Sequence, residues 1–103
     1  MSEYPIVVAD DGITRQILAD HPDLMMVACQ YEKPGAARAL HHHRQVQTTF
    51  VQSGRFRFCL GGAEHEVGPG DSLVIPSGLH HGCTCLEPGT MIDSFTPRRD
   101  DFL

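Results

Sequence analysis

No tryptophan occurs in this chain, and aromatic residues make up only 7% of its 103 positions, so the sequence offers no obvious pocket for an aromatic substrate. No basic run exceeds Arg98-Arg99 and the formal net charge is -5. The electrostatic footprint for phosphate backbones or anionic lipid is therefore missing, which excludes nucleic acid and a membrane surface as partners. No apolar stretch approaches the roughly 18 residues that span a bilayer, and no charged-then-apolar leader opens the chain. Internal repeats and low-complexity tracts are absent as well. A length of 103 residues holds one modest core and not two. The expectation is a single domain over residues 1–103, soluble and cytoplasmic.

Cysteine is present at four positions, Cys29, Cys59, Cys83 and Cys85. Nothing indicates export, so reduced thiols are expected rather than a disulfide framework. Cys83-x-Cys85 beside His80 and His81 offers half of a structural zinc site, but no second cysteine pair has finger-like spacing.

Short apolar runs recur between glycine and proline punctuation, at Leu24 to Tyr31, Val46 to Val51, Phe56 to Leu60, Ser72 to Ile75, Cys83 to Leu86 and Met91 to Phe95. That rhythm predicts an all-β fold. Arg55 to Leu60 alternates at period two, which puts Phe56, Phe58 and Leu60 on one face. Gly61-Gly62 then supplies a tight hairpin, and Ala63 to Val67 returns antiparallel. Pro69-Gly70, Pro76-Ser77-Gly78 and Pro88-Gly89 predict three further turns. Asp11 to Asp20 stays open between a turn of helix and an edge strand.

Two spacings stand out. Gly35, His41, His43, Gln47 and Gly54 form G-x5-H-x-H-x3-Q-x6-G, and Gly70, Pro76, Gly78 and His81 form G-x5-P-x-G-x2-H. These stretches, residues 35–54 and 70–85, resemble the two motifs of the cupin superfamily, a small antiparallel jelly-roll β-barrel. The resemblance makes His41, His43 and His81 the imidazole ligands of a metal and places Gln47 where a glutamate is usual. Cys85 stands where an asparagine often closes the second motif.

The residue types agree with that implication. His41 and His43 are two apart, so on a strand they share one face, whereas His42 has the opposite parity and should point away. His81, Cys83 and Cys85 likewise share one face. Three neutral imidazoles and an amide oxygen suit one divalent metal ion such as Zn, Ni, Mn or Fe(II), with positions left open for water or substrate. A neutral Gln47 leaves the full 2+ charge on the site, which favours an anionic substrate and Lewis-acid work.

A narrower resemblance rests on His21-Pro-Asp-Leu-Met-Met-Val and on Met91-Ile-Asp-Ser-Phe-Thr-Pro-Arg-Arg-Asp-Asp-Phe-Leu. With the three histidines, Gln47 and the chain length, these segments resemble the KdgF family of pectin and alginate degradation over residues 15–103. That resemblance implies conversion of 4,5-unsaturated monouronates to linear keto-uronates. Its Asp-x-Phe-x-x-x-Arg pattern falls on Asp93, Phe95 and Arg99 as the catalytic set. Asp93 and Phe95 have equal strand parity, and Arg99 would fold back from the tail. Asp93 would move a proton if an apolar wall such as Phe95 raises its pKa, and Arg99 would clamp the substrate carboxylate in bidentate fashion. Arg55 and Arg57 read as an exposed strand face, and His65 and His80 as rim residues, His80 with the option of carrying a proton. Two other functions stay open, an Fe(II)-dependent dioxygenase and a non-catalytic sugar-acid-binding cupin. The expected partners are a small anionic sugar acid and a second copy of the chain in a homodimer.

Overall fold

In the computed structural model, residues 3–103 are described. The alternation of Arg55 to Leu60 forms a strand that buries Phe56 and Phe58 on its inner face. The same period governs the other strands: β1 (Val7–Asp10), β2 (Ile13–His21), β3 (Leu24–Tyr31), β4 (Ala37–His41), β5 (Val46–Val51), β6 (Arg55–Leu60), β7 (Ala63–Val67), β8 (Ser72–Ile75), β9 (His81–Glu87) and β10 (Gly89–Thr96). One 3-10 turn, Asp100–Phe102, closes the chain.

The strands lie in two antiparallel sheets, one of order β1-β2-β3-β10-β5-β8 and one of order β4-β9-β6-β7. From β3 onward the chain keeps crossing from one sheet to the other, with only the β6–β7 hairpin staying within a sheet. Inward side chains of both sheets therefore meet in one core that includes Met25, Val27, Val51, Phe56 and Met91. Tyr31 meets Phe56 edge-on at 5.0 Å between ring centroids. Each fully buried apolar side chain of this size contributes about 1.5–3 kcal/mol relative to exposure.

Three expectations change. The segment left open between helix and edge strand is β2, and it is not an edge, because β1 covers it on one side and β3 on the other. The expected left-handed turn at Pro88-Gly89 is instead the crossing from β9 to β10, and Gly89 has no positive φ. It is glycine because a Cβ there would run into the Ser53 carbonyl. Gly54, the last glycine of the first motif, faces the same crossing: its φ is +83 and a Cβ would lie 2.6 Å from the Glu87 carbonyl oxygen. The third change concerns β4, which no apolar run announced. Among the described residues no helix is long and apolar enough to cross a membrane.

Candidate metal centre and its cleft

β4 and β9 pair so that His41 stands opposite His81. Opposed residues on paired strands point to the same side, and the two rings lie 4.3 Å apart. His43 is not on the strand. β4 ends at His41, and the chain is already leaving for β5 in the other sheet, so His43 reaches the site from the connecting loop. Its ring still comes within 5.8 Å of His41 and 4.9 Å of His81. His42 turns outward and stacks on exposed His80 at 4.4 Å, as its parity requires. One candidate ligand nitrogen from each of His41, His43 and His81 lies within 4.8 Å of the others.

Backbone carbonyls set the tautomers. Nδ1 of His41 contacts the Ala39 oxygen at 2.8 Å, Nδ1 of His43 the Gln45 oxygen at 3.0 Å, and Nδ1 of His81 the Leu79 oxygen at 2.8 Å. A carbonyl only accepts, so in His41 and His81 Nδ1 carries the hydrogen and Nε2 presents a bare lone pair. His43 faces an acceptor at each nitrogen, the Gln45 oxygen at Nδ1 and Gln47 Oε1 at Nε2, and its Nδ1–H tautomer is the one that offers Nε2 to a cation. Nε2 of His81 is buried and has no hydrogen-bond partner. Burial lowers the pKa of all three imidazoles, that of His81 to about 4. Neutral rings whose lone pairs converge in a partly desolvated place fit a divalent cation, with the carbonyls orienting each ligand from behind.

Gln47, on β5, extends this set. Its Oε1 lies 3.1 Å from Nε2 of His43, and its amide nitrogen donates to Thr49 Oγ1 at 3.0 Å. Thr49 in turn donates to Asp93 Oδ1 at 2.7 Å, and Cys29 Sγ donates to Asp93 Oδ2 at 3.5 Å. A hydroxyl has one hydrogen. Because Thr49 gives its hydrogen to Asp93, it can only accept from Gln47, and the carbonyl end of Gln47 is thereby turned toward the histidines. Burial raises the pKa of Asp93, and the hydrogen bonds from Thr49 and Cys29 pull it the other way.

A family profile described as a cupin domain matches residues 30–95. The chain belongs to the cupin family. It is 33% identical over 102 residues to the pectin degradation protein KdgF of Dickeya dadantii, covering 98% of this chain and 93% of that one. The structure of KdgF from a Halomonas species superposes with a TM-score of 0.91 at 39% identity, over 98% of this chain and 93% of that one. An RmlC-like cupin from Shewanella frigidimarina gives a TM-score of 0.92 at 33% identity, covering 98% and 90%. The jelly-roll architecture and the likeness to KdgF both follow.

In this cupin His41 and His81 line a cleft together with Gln47, Asp93, Phe95 and Arg99. Asp93 and Phe95 share the inward face of β10, as equal parity demands, and both are buried. The Phe95 ring lies 5.7 Å from His43 on one side and 5.7 Å from Phe102 on the other. Arg99 does fold back, its guanidinium 4.3 Å from the Phe102 ring centroid and 5.2 Å from that of Phe95. Its Nε and Nη2, however, already donate to Asp101 at 3.0 and 2.9 Å.

The cysteine half-site does not assemble. Cys83 contacts the Tyr31 hydroxyl at 3.1 Å, and burial pushes its thiol up to about 11. Cys85 is in the core, His80 is outside, and His81 faces the other two histidines. His65 is exposed, as is Arg57, while Arg55 pairs with Glu66 at 3.3 Å. Sequence reasoning missed Thr49 and two cleft arginines, Arg15 and Arg38. A signal for Arg15 was available: Ile13, Arg15 and Ile17 alternate, and both isoleucines are buried.

Proposed function

We propose that this cupin converts 4,5-unsaturated monouronates from pectin or alginate breakdown into linear keto-uronates, with one divalent metal ion (Zn, Ni, Mn or Fe) held by His41, His43, His81 and Gln47. The observation that carries the reading is the convergence of one ring nitrogen from each of three histidines and an amide oxygen, linked through Thr49 to a buried carboxyl. The likeness to KdgF, named in Dickeya dadantii for pectin degradation, supports the substrate class. When bound, the metal supplies a Lewis acid for an oxygen of the sugar acid.

The reaction is an isomerisation. The bond between the anomeric carbon and the ring oxygen breaks, and the anomeric hydroxyl loses its proton to become an aldehyde. The freed ring oxygen belongs to an enol, and a proton delivered to the fourth carbon turns that enol into a ketone at the fifth. Atoms balance without an oxidant. Asp93 is the group that carries the proton, since burial favours its protonated form and Thr49 and Cys29 hold it in place. Phe95 walls the reacting carbon from water, and Arg99, with two donors on Asp101, presents Nη1 to the substrate.

The conjugated alkene of the substrate absorbs in the ultraviolet, and its loss on mixing with metal-loaded protein tests the proposal. A rate no greater than that of spontaneous opening, with metal content verified, overturns it. Equal turnover with zinc and without oxygen separates this activity from a dioxygenase.

The location that goes with this reading is the cytoplasm, where thiols stay reduced. A homodimer also belongs to it. The outer face of the six-stranded sheet carries Met26, Val46, Phe50 and Val74, all exposed, and none of its outward residues on β3, β10, β5 and β8 is charged. An uncharged apolar face of this kind meets its own copy without like-charge repulsion. Light scattering at the 11.4 kDa of one chain would refute the dimer.

A further inference from the structure

Two guanidiniums inside the cleft have no part in the account so far. Arg15 stands on β2 opposite Cys29, and Arg38 on β4 opposite Cys83. Both cysteines are buried and face the cleft. Opposed residues share a side, so both arginines project inward, one from each sheet. Among the described residues neither arginine forms an ion pair. The guanidinium carbon of Arg15 sits over the Phe102 ring, 3.9 Å from its centroid, a contact that holds the cation without neutralising it. Arg99 differs, because Asp101 occupies its fork.

A half-buried cation ordinarily brings a carboxylate with it. Here like charges gather instead. Burial pushes the pKa of Arg15 below its ordinary value, and the Arg38 and Arg99 charges press in the same direction against the opposing pull of Cys29 and of Asp101, the carboxylate that Arg99 already holds. Asp93, the one carboxyl in the cleft wall, is already engaged by Thr49 and Cys29. The arrangement lacks an anion in the space between the two sheets. Its position is also defined: His81 and Cys83 are successive inward residues of β9, about 6.5 Å apart. The level of Arg38 is thus one step along the cleft from the level of His41 and His81.

We propose that Arg15 and Arg38 form a two-sided clamp for the carboxylate of the substrate, fixing which end of a sugar acid enters and rejecting neutral sugars. The clamp deepens the sugar-acid reading and rests on it for the identity of the anion. It places the carboxylate beside the two cysteines, one sugar ring away from the histidines. Arg99 then closes the cleft beside Phe95 and is not the principal anion ligand.

The test is calorimetry on zinc-loaded protein with galacturonate, the methyl ester of galacturonate, and succinate. Wild-type protein is expected to bind galacturonate more tightly than its ester. Arg15→Gln and Arg38→Gln should each weaken galacturonate about 10- to 100-fold, the effect of losing a charged hydrogen-bond pair. They should leave ester binding and zinc content unchanged. Arg15→Lys and Arg38→Lys keep the charge and much of the packing, and should retain part of the discrimination. Full galacturonate affinity in both glutamine variants overturns the clamp, as does equal loss for acid and ester. Arginine-dependent binding of succinate with no binding of either sugar supports the clamp and removes the sugar-acid reading. No binding of any carboxylate by wild-type protein removes both.

Discussion

Nε2 of His43 and Oε1 of Gln47 face one another at 3.1 Å, and in the Nδ1–H tautomer of His43 neither has a hydrogen to offer. The Nδ1 hydrogen of His43 is committed to the Gln45 carbonyl, and the amide hydrogens of Gln47 are directed to Thr49. Two acceptors at this separation repel unless a cation lies between or beside them. The same holds for the orphaned Nε2 of His81. The site is therefore described better by what its lone pairs require than by the count of its histidines.

Thr49 decides which end of the Gln47 amide faces the histidines. Thr49→Val should lower zinc affinity about tenfold in a chelator competition, a loss of roughly one hydrogen bond between neutral groups, and Thr49→Ser should restore it. Combined with Gln47→Glu, whose two carboxylate oxygens are equivalent, the valine should cost much less. An undiminished cost in that background would mean that Thr49 acts only through packing.

Asp93→Asn removes the proposed proton carrier while keeping the shape of the group that Thr49 contacts. Turnover should fall by about 10²–10⁴-fold, the usual range for a lost general acid or base, with zinc content retained. A variant with near-normal turnover would move the proton to another group of the cleft, which also holds Cys29, Tyr31 and Cys83.

In the metal-free protein the three imidazoles have pKa values below the ordinary 6.5, that of His81 near 4. As pH falls below about 6.5 the unfolded chain takes up protons that the folded chain refuses, so stability declines. The decline continues until the folded His81 titrates near 4. Thermal melts between pH 7 and 4 should show it, and His81→Gln should flatten the curve. Because the raised pKa of Asp93 acts in the opposite sense, the difference between the two proteins is the reading that counts: a pH dependence in His81→Gln as steep as in wild type would contradict the assignment of a neutral, buried His81 ring.

How far the residues alone reveal this molecule depends on punctuation. β3, β5 and β8 match the apolar runs from Leu24, Val46 and Ser72 at both ends, because turn-forming residues bracket them. β2 escapes because no glycine or proline interrupts Ile13–His21, its register shifts between Ile17 and Ala19, and a charged Arg15 occupies an inward position. β4 escapes for a related reason: an irregularity between Arg38 and His41 breaks the period-two pattern. The motif spacing singled out the three histidines that the fold brings together. Spacing is set by where the chain crosses between sheets, and Gly54, held against the β9–β10 crossing, is part of that frame. What period two could not convey was that His43 arrives from a loop, or that the inward arginines of the two unannounced strands meet across one cleft.

The most direct test of the central claim is metal content after substitution within the triplet His41-His42-His43 and at His81, read by elemental analysis of protein purified in excess zinc. The structure predicts close to one equivalent in wild type and in His42→Ala, whose ring stacks on His80 outside the site. It predicts nearly none in His41→Ala, His43→Ala and His81→Ala. Equal losses from all four substitutions, or full occupancy without His81, would contradict the account.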